Sequence, residues 1–320
     1  MLSDLGFAIS VAFTYFTIIY LTGLGGLFSE RSGIVNIGLE GLMIIGTVTG
    51  SMGAHYFGVD LGWGVPAGPI MGLLVGLVCG AAFASIHALA TVTFRIDQIV
   101  SGVVINLVAV GLARFISTLA FGQATQSDPG QPHMRVITIP ILSAIPGLGR
   151  AFQGISPFVL VAFAMVFPVT WVLYRTRWGL RLRSAGENPE ATRSLGVAVA
   201  PLRWEAVLIS GAFAGVAGAF LSVEVVNNWR EGQTVGLGFI ALAALIVSNW
   251  SPVRLLGVAF LFGFAQAIPL TLRDWPIISA IPQEFLNMTP YVVTIVVLAG
   301  FVGKVRPPAA AGKAYEGVST

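Results

Sequence analysis

About nine apolar windows, each near the roughly 20 residues that a helix needs to cross the hydrocarbon core of a bilayer, occupy most of this chain. They fall at 6–28, 34–55, 65–92, 98–121, 156–174, 204–223, 237–249, 253–271 and 288–303, the seventh being short. Backbone polar groups find no water in hydrocarbon, so a run of this length must bond within itself and become helical. Composition agrees: 56% of the 320 residues are hydrophobic and 10% are charged, with a mean hydropathy of +0.87. A soluble domain carries about 25% charged residues. The expectation is an all-α polytopic membrane protein of about nine transmembrane helices. Residues 1–306 would form one transmembrane domain and 307–320 a disordered tail, low in complexity from Pro307 to Gly312.

The net charge of +3 and pI near 9.3 would invite a nucleic-acid reading in a soluble protein. In a membrane chain the excess first sets topology, because cytoplasmic loops collect Lys and Arg. Residues 175–203 hold six arginines in an otherwise apolar sequence. Placing that island inside also places Arg31, Arg95, Arg254, Lys304, Arg306 and Lys313 inside by alternation of nine spans, twelve of the seventeen basic residues. The N-terminus is then outside and the C-terminus cytoplasmic. The start, Met-Leu-Ser-Asp, lacks a basic n-region, so the first window reads as a retained span and not a cleaved signal. The single cysteine, Cys79, sits in an apolar run and excludes an intrachain disulfide.

Two segments interrupt their own helices with glycine. One runs from Thr22-Gly23-Leu24-Gly25-Gly26 through Gly33, Asn36, Gly38, Glu40 and Gly41. The other holds Asn227-Asn228, Glu231-Gly232-Gln233-Thr234 and Gly236-Leu237-Gly238. Polar residues at membrane depth are costly unless they face a cavity or a partner, and paired glycine-broken segments in two halves point to a transport pathway. Asn36, Glu40, Asn106, Asn227 and Gln266 are the candidate pathway residues. For isolated polar residues such as His87, Asn106, Arg114 and Gln266, a bond to a neighbouring helix carbonyl is the competing role. Identity between the halves is weak, so an inverted repeat is only a possibility at this stage. The small-residue runs at 72–84 and 211–219 suit close helix packing, mainly within one subunit.

The connection at 122–155 is long, with Pro129, Pro132, Pro140 and Pro146, and reads as an interfacial helix or hairpin on the outer face, where a substrate-delivery protein could sit. No Gly-x-x-x-x-Gly-Lys-Ser/Thr occurs, so ATP coupling needs another polypeptide. His55, His87 and His133 lie far apart, and no His/Cys/Asp cluster has metal-ligand spacing. No nucleophile elbow is present either, which leaves an intramembrane enzyme without support. An ion-coupled transporter would need a relay of deep ionisable groups; Glu40 and Glu224 are its only acidic candidates.

Within the island, Asn188 suits an N-cap, Pro189 the first helical position and Glu190 the positive helix end, while Gly196 can stop the helix in the left-handed conformation. A helix of about two turns is unstable alone and implies support from packing or a partner.

At this point the chain resembles a known family. Gly179-Leu180-Arg181-Leu182-Arg183-Ser184-Ala185-Gly186-Glu187-Asn188-Pro189-Glu190-Ala191, followed by Ser194-Leu195-Gly196-Val197, resembles the coupling-loop signature of ABC importer permeases for sugars, nucleosides and branched-chain amino acids. Ser32-Gly33-Ile34-Val35-Asn36-Ile37-Gly38-Leu39-Glu40-Gly41 and Gly238-Phe239-Ile240-Ala241-Leu242-Ala243-Ala244-Leu245-Ile246 resemble most the subgroup that imports nucleosides. The resemblance implies a permease in the bacterial inner membrane that passes a nucleoside, expected to be a purine nucleoside, from a periplasmic or lipid-anchored binding protein to the cytoplasm; a pentose or other simple sugar is the alternative. It implies no catalytic site and no cofactor in this chain, with ATP and magnesium bound by a cytoplasmic ATPase and a related second permease beside it. Gly186, Glu187, Asn188, Pro189, Glu190, Ala191, Arg193, Leu195 and Gly196 are the expected ATPase-coupling residues.

Overall fold

The computed structural model describes residues 2–128, 130, 132–273, 275, 278–300 and 305–315. Pro129 and Lys304, used above, lie outside the described residues, as do 316–320. Among the described residues, helices are the repeating element, with two isolated bridges, Gln126 to Arg230 and Ile137 to Ile155. The helices are α1 (Leu2–Arg31), α2 (Leu39–His55), α3 (Gly64–Ala88), α4 (Gln98–Phe121), α5 (Pro140–Ser143), α6 (Pro157–Ala164), α7 (Val166–Arg175), α8 (Arg177–Glu187), α9 (Pro189–Ser194), α10 (Val199–Phe220), α11 (Leu237–Val247), α12 (Pro252–Thr271), α13 (Gln283–Asn287) and α14 (Thr289–Gly300).

Six stretches among the described residues are long and apolar enough to cross a membrane: Asp4–Arg31, Gly64–Thr93, Gln98–Phe121, Pro157–Arg175, Val199–Val226 and Pro252–Thr271. The expected nine is therefore met by six. Each of the other three windows does hold a helix, but a shorter one: 17 residues in α2, 11 in α11 and 12 in the described part of α14. The 11 residues of α11 extend only about 16 Å. The reason is the same for α2 and α11: each starts inside the bundle, because the non-helical segment before it takes up part of the depth.

Neighbour relations repeat. α1 packs on α12, α11 and α10, while α10 packs on α3, α2 and α1. α2 meets α3 and α4, and α11 meets α12 and α14. Exchanging α1, α2, α3 and α4 with α10, α11, α12 and α14 leaves this pattern unchanged. The end of α1 and the start of α10 lie together, since Arg203 Nε donates to Ser32 O at 3.1 Å. The two units therefore run in opposite directions, and the inverted repeat that the sequence only suggested is present in the packing.

The small-residue runs pack on each other. A methyl added to Gly215 would collide with Gly76 O, one on Gly80 with Gly211 O, and one on Gly218 with Met43 O. Lipid offers no hydrophobic drive between helices, so close backbone approach supplies the attraction there.

At one end of the bundle the connection after α4 is held down by Glu224, which accepts from Met134 N and Ser156 Oγ, both at 2.8 Å. The Ile137 to Ile155 bridge closes the loop that carries α5 and a short 3-10 turn at Gly149–Phe152. The opposite, basic end gathers α8, α9, Arg31, Arg203, Arg254 and Arg306. Arg31 Nη2 donates to Trp250 O at 2.8 Å, and Arg254 Nη2 reaches Asn249 O at 3.4 Å. Residues 305–315 lie across this end. Arg306 N donates to Asn249 Oδ1 and Ala310 N to Gly186 O, both at 2.9 Å.

Candidate substrate pathway and coupling surface

The first break, between α1 and α2, begins at Gly33, whose φ of +93° favours glycine. Its backbone has left the helical pattern inside an apolar bundle, so its polar groups need other partners. Side chains from α3 and α4 supply them. Gln98 Oε1 accepts from Val35 N at 2.6 Å. Asn106 accepts from Gly41 N at 2.7 Å through Oδ1 and donates to Ile37 O at 3.1 Å through Nδ2. His87 is fully buried, with Nε2 3.2 Å from Val35 O and Nδ1 2.9 Å from Ser101 Oγ. A carbonyl only accepts, so Nε2 carries the proton, and in the neutral ring Nδ1 accepts from the serine hydroxyl. Asn36, also fully buried, donates to Ser210 Oγ at 2.9 Å.

The second break, between α10 and α11, has positive φ at Asn227, Gly232, Val235 and Gly236. Trp229 pins it: its indole N–H donates to Thr47 Oγ1 at 3.1 Å and its backbone N–H to Ser127 Oγ at 2.8 Å. Arg114 and Glu231 pair at 2.6 Å on an exposed rim, where such a pair contributes little.

Glu40 ties the two breaks together. It lies in the first turn of α2, yet Oε1 accepts from Thr234 Oγ1 at 2.6 Å and from Gly236 N at 3.0 Å, while Oε2 accepts from Gly238 N at 2.7 Å. These donors form the N-terminus of α11, where unsatisfied N–H groups and the helix dipole favour a carboxylate. One acidic side chain at the start of one half-helix thus caps the other.

A cavity of about 90 Å³ opens beside this tie, lined by Thr47 and Ala113 together with Trp229, Gln233 and Thr234. A second hollow of about 330 Å³ lies on the other side of Gln233, bordered by Tyr15, Gln266, Asn287 and Tyr291. Gln233 borders both, and among the described residues its buried Nε2 has no hydrogen-bond partner. Of the five pathway candidates, Asn36, Glu40 and Asn106 come together at the first break; Glu40 and Asn106 are bonded through both of their polar atoms, whereas Asn36 Oδ1 is buried and, among the described residues, without a hydrogen-bond partner. Asn227 caps the π-helical turn Leu221–Val226 that follows α10, with Oδ1 buried and, among the described residues, unpartnered, and Gln266 borders the second hollow. Gln233 and Thr234 stand in the sequence reading only as part of the second break, and Thr47 and Trp229 do not enter it. The polar run directly before an apolar helix was the available signal for the first two, whereas nothing in the sequence marks Thr47 or Trp229.

The expected coupling residues lie on α8, on α9 and in the turns that flank α9. Gly186 and Glu187 end α8, and Gly186 packs so closely that any side chain there would collide with Arg31 O. Asn188 Oδ1 accepts from Ala191 N at 3.0 Å, Pro189 opens α9, and Gly196 has φ of +79°. The caps lie where the sequence signals put them. Glu187, Glu190, Ala191, Arg193 and Leu195 are exposed, Leu195 by 83%.

Residues 8–301 match the family described as branched-chain amino acid transport system / permease component. The chain belongs to this permease family. A guanosine ABC transporter permease protein of Bacillus subtilis is 40% identical over 312 residues, covering 97% of each chain. A nucleoside ABC transporter permease protein of Lactococcus lactis is 39% identical over 308 residues, covering 94% of each. A putative glucose ABC transporter permease protein of Haloferax volcanii is 34% identical over 308 residues, covering 88% of each. The permease is thus a multi-pass membrane subunit of an ABC transporter, a transport component and not an enzyme, and its family works with an ATPase and a substrate-binding protein.

Proposed function

We propose that this permease imports a nucleoside, a purine nucleoside in particular. An external binding protein delivers it to the end of the bundle that carries the 122–155 connection, and the arginine-rich end faces the cytoplasm. In this orientation the N-terminus is outside and the C-terminus inside. The observation that carries the reading is the Glu40 tie between two oppositely directed half-helices, with a polar-edged cavity beside it. The likeness to guanosine and nucleoside permeases along nearly the whole chain supports the substrate class.

Gln233 Nε2 and the Thr234 hydroxyl offer groups to a sugar hydroxyl or base edge, and Trp229 supplies an apolar wall. No cofactor is held by this chain; ATP and its magnesium ion bind to the separate ATPase, which docks on 186–196 and couples two states that it binds unequally. A related second permease completes the pathway. The likeness to a glucose permease supports a sugar as the second reading. The test is uptake of labelled guanosine into cells making the complete importer, with unlabelled guanosine, uridine, ribose and glucose as competitors. Competition by guanosine alone supports a purine nucleoside, by both nucleosides the broader class, and by the sugars alone the second reading.

A further inference from the structure

The expected partner surface at the basic end is the α8–α9 region, but the structure adds a second wall to it. Residues 305–315 lie along that region, and each contact uses a different part of the fold. Arg306 N bonds the loop before α12 through Asn249 Oδ1 at 2.9 Å. Ala310 N bonds Gly186 O at 2.9 Å, and Ala309 N approaches Glu187 Oε2 at 3.3 Å. The Tyr315 ring lies over the guanidinium of Arg203, 5.6 Å from carbon to ring centroid. Such a contact is stronger when the cation is desolvated, and Arg203 is only 2% exposed.

Between tail and helix runs a groove of about 370 Å³. Glu187, Asn188 and Glu190 line one wall, Ala310, Lys313 and Tyr315 the other. Both walls carry charge: carboxylates on the helix side, an ammonium on the tail side. Among the described residues, Arg203 Nη2 and Tyr315 Oη are buried without hydrogen-bond partners.

We infer that 305–315 is a second, built-in half of the ATPase-docking surface, and that the groove between it and α9 receives the ATPase subunit. This rests on the reading that 186–196 docks the ATPase. Continuity carries the inference, because Glu187, Asn188 and Glu190 belong to both the expected docking residues and the groove, so a protein seated on α9 meets the tail. The complementary partner surface brings a cation to Glu187 and Glu190 and an acceptor to Lys313. The tail also bonds the α8 end, the loop before α12 and, through Arg203, the start of α10, so a push on the groove reaches three elements of the bundle together.

The test uses the whole importer purified with its ATPase, with Cys79→Ser as background and either Glu190→Cys or Lys313→Cys added, labelled with a short maleimide–diazirine reagent whose photoactivated carbene inserts into any adjoining residue. Links from both positions to the ATPase are expected. A link from Glu190→Cys without one from Lys313→Cys overturns the tail's role and leaves the α9 reading standing. Links from neither position in a transporting complex overturn both. As a second measurement, Ala310→Pro removes the N–H that bonds Gly186 and should weaken ATPase binding about tenfold, the equivalent of about 1.4 kcal/mol; unchanged binding overturns the inference.

Discussion

The two glycine-broken segments occupy corresponding places in an inverted repeat, yet they are held in different ways. The first break is buried and fastened by side chains of α3 and α4, with Gln98, Asn106 and His87 each bonded to its backbone or its edge. The second break is partly open: Arg230 and Gly232 are exposed, Val235 is 62% exposed, and several residues have positive φ. Its principal fastening to the first is one carboxylate, Glu40. The second break also has partners, Trp229 to Thr47 and Ser127 and Val235 O to the Tyr291 hydroxyl, so the difference lies in exposure: a backbone stretch whose turns face solvent opens at lower cost than a buried one. The inverted repeat therefore has a fixed side and a yielding side, with Glu40 at the boundary.

Glu40→Leu should break this arrangement most. It strands Thr234 Oγ1 and the N–H groups of Gly236 and Gly238 inside the bundle, for an expected loss of about 3–5 kcal/mol. A steep fall in melting temperature in detergent and loss of uptake would follow; an unchanged melting temperature would show that the breaks are joined elsewhere. Asn106→Leu leaves Gly41 N and Ile37 O without their partner and should cost about 1–3 kcal/mol. If Asn106 acts on the frame, uptake per folded molecule should fall less than the amount of folded protein does; the reverse result would show that it acts in the pathway. Smallest in effect, and opposite in sign, is Val235→Gly. Val235 holds φ of +46° with a β-branched side chain, so glycine relieves strain, and the net gain should be about 0.5 kcal/mol after its larger unfolded-state entropy. A destabilised variant would mean that the Val235 side chain is held by a partner subunit.

Much of this was legible in the chain. The caps of α9 are local, set by Asn188, Pro189 and Gly196 within a few residues of one another, and local chemistry survives in any surroundings. Both breaks were legible for the same reason, since glycine clusters disrupt helices wherever they lie. The role of Glu40 was not. As a polar residue in an apolar window it signalled only that something must satisfy it, and its partners are nearly two hundred positions away. Asn36 and Asn106 raised the same expectation, and their partners, Ser210 and unwound backbone, are likewise supplied only by the fold. The course of residues 305–315 was not legible, because their Pro-Ala composition supplies no core of its own; two of their backbone N–H groups bond Gly186 and Asn249, which only the fold brings near.

The sequence by itself determined the class of molecule, the helical windows, the two breaks and the capped helix at the basic end, because hydropathy, glycine and capping act over a few residues. Tertiary structure alone decided that α2 and α11 are half-helices, that a carboxylate at the start of α2 caps α11, and that residues 305–315 lie against the end of α8. Each of those depends on a hydrogen bond between groups far apart in the chain, and the energy of such a bond exists only once packing has excluded water from both ends.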